Sequence, residues 1–316
     1  MNKKDLKILY LGTPDISSKV LEKLIEAKYI IIAVISQPDK EVGRKHILTP
    51  TPVKCVAQKY GLEVYQPLKI KDIYEEIKKL SPDILLTMAY GQLIPDSVLA
   101  LPKIKALNLH GSLLPKYRGA SPIQAALMNG DEETGVTLME MVHEMDAGNM
   151  FYKEVIKIDS KDNFDSLKNK ISDAAFEAFD KGIDSIINDG YIGEKQDASK
   201  ATFTKKINEE DQQITFNDSA KNIVNKIRAL TSEPGAYFVY KNEKIKVFEA
   251  EIINGNSSVP GKVRMYDKNG LFVETKDGII SIKCLQKPGK KPIGIKDFYN
   301  GNREYFKVNQ IVEWLR

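Results

Sequence analysis

Two cysteines, three histidines and one tryptophan are all that 316 residues contain of these types. Cys55 and Cys284 stand far apart, so the chain has neither a disulfide framework nor a thiolate metal site. Such sparse thiols predict a reducing, cytoplasmic setting. His46, His110 and His143 include no pair at the spacing of helical metal ligands, so no metal is expected. No apolar run approaches the roughly 20 residues of a membrane span. The apolar part of the opening "MNKKDLKILYLG" is too short for a secretory signal and reads as a first strand. That strand runs into "LGTPD" rather than G-x-G-x-x-G, which argues against a dinucleotide cofactor. There is no G-x-S-x-G elbow and no P-loop lysine motif, so serine nucleophiles and phosphoryl transfer have no support. Charge of one sign is also scarce, at +4 over the whole chain. All of that excess falls in residues 207–316, which hold four more basic than acidic side chains. It reads either as ordinary surface scatter or as a module for a polyanion.

What is present is a regular alternation. Strand-like runs "KILYLG" (7–12), "IIAVISQ" (31–37), "DILLTMAYG" (83–91) and "KALNLHG" (105–111) are separated by helical patterns at 14–27, 51–61 and 72–80. Such alternation predicts an α/β fold, a Rossmann-like parallel sheet with helices on both faces. "GVTLMEMV" and "FYKEVIKI" read as a late strand pair, and a long helix over about 163–188 follows. The first domain is therefore drawn at 1–190. Residues 191–206 are polar and without periodicity, and read as a linker. Residues 207–316 hold a helix at 218–230 and then short strands between Gly, Asn and Asp turns, which predicts a small OB-like β-barrel.

The chemistry concentrates in "NLHGSLLPKYRGASP", residues 108–122. Strand residues two apart share a face, so Asn108 and His110 project together from one strand end. In open parallel sheets ligands bind outside the carboxyl ends of the strands. Asp146 lies in the turn "EMDAGN". It either bonds its own backbone, as turn aspartates do, or orients His110. Arg118 either binds a ligand anion or braces its loop. The stretch 37–50 carries Arg44 and Lys45 among acidic residues and prolines, has little apolar area, and predicts a mobile surface loop.

The run from Leu107 to Met150 resembles the signature of the folate-dependent formyltransferases: Asn-x-His-x-Ser-Leu-Leu-Pro, a later glycine, then an Asp-x-Gly turn some three dozen residues on. "TPDISSKVLEKL", "TPVK", "AYGQLIP", "IRAL…PGA" and "PGKKPIGIKDFYNGNR" are similar to those members that act on methionyl initiator tRNA. The resemblance implies 10-formyltetrahydrofolate as formyl donor and the free amine of methionyl initiator tRNA as acceptor. It implies Asn108, His110 and Asp146 as the catalytic group. Ser112, Leu113, Leu114 and Pro115 would form a wall of the folate site, although core packing is a strong alternative for the leucines. Arg44 and Lys45 would enter the tRNA acceptor end, while residues 207–316 hold phosphates by charge. The chain would act as a monomer. In formyl transfer the Asn108 amide and His110 can donate to the carbonyl oxygen as it becomes an oxyanion. Asp146, with water and with His110 assisting, suits the proton transfer, as base or as electrostatic orienter. The competing readings are a formyltransferase for an amino sugar or purine precursor, and a non-catalytic tRNA-binding protein.

Overall fold

The computed structural model describes residues 2–43 and 45–312. In chain order the elements are β1 (Lys7–Gly12), α1 (Asp15–Glu26), β2 (Ile30–Ile35), β3 (Lys40–Val42), β4 (Ile47–Thr49), α2 (Pro52–Lys59), β5 (Val64–Tyr65), α3 (Tyr74–Leu80), β6 (Ile84–Met88), α4 (Asp96–Leu99) and β7 (Lys105–His110). There follow β8 (Arg118–Gly119), α5 (Pro122–Asn129), β9 (Glu133–Glu140), β10 (Met150–Lys157), α6 (Phe164–Asn188) and β11 (Phe203–Thr204). The last part holds α7 (Ala220–Ala229), β12 (Ala236–Tyr240), β13 (Glu243–Ile253), β14 (Val263–Asp267), β15 (Gly270–Glu274), β16 (Ile279–Gln286), β17 (Ile293–Gly294) and α8 (Ile295–Gly301).

The chain divides into two compact units. The first comprises residues 1–120, 133–157 and 168–204. Its seven-stranded sheet has the order β10-β9-β7-β6-β1-β2-β5. β5, β2, β1, β6 and β7 are parallel, and β9 runs antiparallel to both β7 and β10. The strands are continuous apolar runs, as in β1 and β6, because helices cover both faces of such a sheet. α1 turns Val20, Leu21 and Leu24 inward at helical spacing. α2 starts on Pro52 with the Thr51 hydroxyl accepting from the Lys54 N–H, a cap and a proline that both suit a helix start. Strand order reverses between β1 and β6, so the crevice for a ligand lies at the carboxyl ends of those strands, on the sheet edge where β7 ends in His110.

Within residues 37–50, β3 and β4 pair as an antiparallel hairpin. Gly43 and His46 take the positive φ values that its tight turn needs, and Asp39 at its base bonds Lys54 and Gln66. Val42, Ile47 and Leu48 are exposed on it.

The second unit comprises residues 121–132, 158–167 and 205–316. Its sheet is antiparallel, in the order β12-β13-β16-β15-β14 with β17 on β16. Among the described residues no ladder joins β12 to β14, so this is a small antiparallel sheet with two outer strands. Phe216, Phe238, Phe298 and Phe306 lie in its core with Tyr240 and Tyr266. Two segments from the first half of the sequence belong to this unit. α5 packs on α7, and Arg228 donates to the carbonyls of Asp159 and Asp162. The division drawn from sequence at 190 and 207 thus differs from the compact units, because α5 packs on α7 and its Met128 packs against this unit's core. Residues 191–206, read above as a linker, are part of the first unit through Thr204.

Candidate active site

β7 carries Asn108 and His110 to the end of the sheet, between β6 and β9. His110 is buried and faces Thr137 of β9 in register. Its Nε2 lies 2.8 Å from the Tyr117 carbonyl. A carbonyl can only accept, so Nε2 carries the proton of this bond. Nδ1 is then the nitrogen left for proton exchange, and it lies 3.7 Å from Asp146 Oδ2. That carboxylate oxygen also accepts from the Gly119 N–H at 2.8 Å. Asp146 therefore bonds the other loop and faces His110 rather than closing its own turn. Asn108 is half-buried, and among the described residues its amide spends no donor on a protein acceptor. The arrangement is a free amide donor, an imidazole of defined tautomer and a carboxylate, and it can stabilise an oxyanion and move a proton.

The loop after His110 is fixed from inside. Thr137 Oγ1 donates to the Ser112 carbonyl at 2.7 Å and accepts from the Leu114 N–H at 3.1 Å. The Ser112 hydroxyl is fully buried and donates to the Lys116 carbonyl at 2.6 Å. Leu114 packs with Met139 and Met150 in a small core. Ser112 and Leu114 thus have no surface to offer a ligand, because the loop uses them to hold its own shape. Leu113 and Pro115 are half-buried and keep some.

Arg118 is buried, with Nε 3.0 Å from Gln196 Oε1 and one Nη 3.3 Å from Glu144. It braces the loop. Gln196 is a residue that sequence reasoning missed, since it lies in the polar stretch taken for a linker. Thr202 was missed for the same reason: its Oγ1 accepts from the Tyr117 N–H, and its carbonyl accepts from the Arg118 N–H, both at 2.8 Å. Only the run of threonines around "KATFTKK" hinted at a strand there. Tyr90, in "AYGQLIP", has its hydroxyl buried without a partner among the described residues, and burial pushes it up to about 12. Lys45 is exposed on the β3–β4 hairpin, whereas Arg44 lies outside the described residues.

Residues 6–183 match the family profile described as formyl transferase, and residues 206–303 match the one described as formyl transferase, C-terminal domain. A methionyl-tRNA formyltransferase of Staphylococcus epidermidis is 43% identical over 301 residues, which cover 94% of this chain and 97% of that protein. One from a Sulfurihydrogenibium species is 42% identical over 302 residues, with the same coverage of 94% and 97%. Among solved structures, HypX from Aquifex aeolicus in complex with tetrahydrofolic acid has a TM-score of 0.67 at 18% identity, covering 98% of this chain. The chain spans only 50% of HypX. WlaRD, a sugar 3N-formyl transferase, has a TM-score of 0.65 at 22% identity, covering 90% of this chain and 99% of its own. At these identities the two structures share the fold.

Proposed function

The chain belongs to the formyltransferase family, and from that premise we propose that it moves a formyl group from 10-formyltetrahydrofolate to the free amine of methionyl initiator tRNA. The observation that carries this reading is the match over nearly the whole chain, both units included, to relatives named for that reaction. The site has groups that suit it.

An α-amine has a pKa of about 8, so much of it is a neutral nucleophile at physiological pH. Formyl transfer makes one N–C bond, breaks another and moves one proton from the amine to the nitrogen that departs. The free Asn108 amide donates to the formyl oxygen as that oxygen gains charge. Such a donor contributes more in the transition state than in the ground state. His110 is held by the Tyr117 carbonyl with Nδ1 toward Asp146, so the pair holds the travelling proton beside the reacting atoms. Asp146 keeps the cationic form of the imidazole in place by charge. Leu113 and Pro115 supply the apolar wall for the folate, with the backbone of 112–115 held rigid by Thr137. Lys45, with Arg44, meets the acceptor end of the RNA, and basic side chains of residues 207–316 meet phosphates. Binding then weakens as salt rises. Cys55 and Cys284 are both free thiols, which fits an enzyme working in the reducing cytoplasm.

The test is transfer of labelled formyl from 10-formyltetrahydrofolate to methionyl-tRNA, free methionine and a nucleotide-linked amino sugar in parallel. Labelling of the tRNA alone is expected. Labelling of the amino sugar and not the tRNA would replace this reading with a sugar formyltransferase, and no labelling at all would leave an RNA-binding protein.

A further inference from the structure

The Asp146 turn is held by a side chain from outside it. Asp146 has φ +52, a left-handed conformation that a non-glycine residue keeps only when its surroundings impose it. Within the turn the one backbone bond is the Ala147 N–H to the Glu144 carbonyl, at 3.3 Å. Gly148 sits so close to the end of β9 that an added Cβ would lie 2.0 Å from the Glu140 carbonyl. Two further carbonyls of the turn, those of Asp146 and Gly148, both receive Nε2 of Gln196, at 2.7 and 2.9 Å. The other end of the same carboxamide, Oε1, accepts from Arg118 Nε at 3.0 Å. Gln196 is only 6% exposed. It is itself anchored, because Glu194 two residues earlier exchanges backbone bonds of 2.8 and 2.7 Å with Met150.

From this geometry we infer that Gln196 is a positioning residue for formyl transfer, setting the Asp146 carboxylate against the Gly119 N–H and His110. A carboxamide is the one neutral side chain that offers two donors and an acceptor at this length. Glutamate would keep the acceptor for Arg118 and lose both donors, while methionine would keep the volume and lose all three bonds. Without them the part-buried carbonyl of Asp146 and the buried carbonyl of Gly148 lose their partners, and the left-handed residue loses what imposes it. Asp146 then leaves the position from which it faces Nδ1. Displacement of a reacting group by about 1 Å can cost on the order of 100-fold in rate.

The inference rests on the catalytic reading of Asp146 and is tested by a cycle in the full-length enzyme, with kcat and both KM values measured for wild type, Gln196→Met, Asp146→Asn and the double variant. Gln196→Met is expected to lower kcat at least about tenfold, with both KM values within about twofold. In the Asp146→Asn background the same change should lower kcat by less than about twofold, because its effect runs through the carboxylate already removed. Gln196→Glu, which keeps volume and the Arg118 contact, should show the same pattern, and it serves where Gln196→Met does not fold. Wild-type turnover in the Gln196 variants, or a full tenfold further loss in the double variant, would overturn the inference while leaving the functional reading in place. Wild-type turnover of Asp146→Asn would overturn both.

Discussion

Replacing Thr137 with valine removes one oxygen atom and changes almost nothing in shape. The residue is fully buried in β9 opposite His110. Its hydroxyl donates to the Ser112 carbonyl and accepts from the Leu114 N–H, so the valine leaves one acceptor and one donor of the backbone without these bonds. Each buried polar group left unsatisfied costs about 1–3 kcal/mol. Two of them, with slight relaxation of the loop, put the loss at about 2–4 kcal/mol. In a unit of this size each kcal/mol moves Tm by about 2–4 °C, so a fall of roughly 5–15 °C is expected. Thr137→Ser keeps the hydroxyl and loses a methyl group, which costs about 1 kcal/mol. The valine enzyme should also bind the formyl donor more weakly, because the backbone of 112–115 is no longer held beneath Leu113 and Pro115. Thermal unfolding and donor KM, measured for both variants, decide the matter. Equal Tm values for the valine and serine enzymes, or an unchanged donor KM in the valine enzyme, would refute the claim that this hydroxyl shapes the loop.

Asp146→Asn or His110→Ala should lower kcat by about 100-fold or more with folding retained, measured by formyl transfer at saturating substrates. Lys45→Ala should raise the tRNA KM and leave folate binding unchanged, and an unaltered KM would reduce the hairpin to a surface feature. Deleting residues 207–316 should yield an aggregation-prone fragment, because the apolar residues of α5 lose α7; a monodisperse fragment in sedimentation would contradict this. Glu274 is buried, which raises its pKa, but N–H donation from Ser258 and Val259, the Ser258 hydroxyl and Arg264 outweigh that and hold it at about 2. Its stabilising contribution is therefore complete above about pH 4.5 and is lost as pH falls toward 2. Urea unfolding of wild type and Glu274→Gln should differ most near pH 7 and converge as pH approaches 2, and a gap independent of pH would exclude this origin.

Sequence alone determined the elements whose signal is local. The apolar strands, the helices at 3.6-residue spacing and the placing of Asn108 and His110 on one strand face all follow from periods that repeat within a dozen residues. The spacing from His110 to Asp146 was also legible, because both sit in a recognisable run of residue types. Tertiary structure decided what depends on contacts between segments far apart in the chain. It brought α5 and residues 158–167 into the second unit, since buried apolar area there outweighs proximity in sequence. It turned the Ser112 hydroxyl inward and oriented His110 through the Tyr117 carbonyl. It also drew Gln196 and Thr202 out of a polar stretch with no period and set them against the Asp146 turn and the Tyr117 backbone. Those two side chains answer a demand that no local pattern records: buried backbone groups of the loops around the site must find partners, and the partners lie far away in sequence, 50 residues for Gln196 and the Asp146 carbonyl and 85 for Thr202 and the Tyr117 N–H.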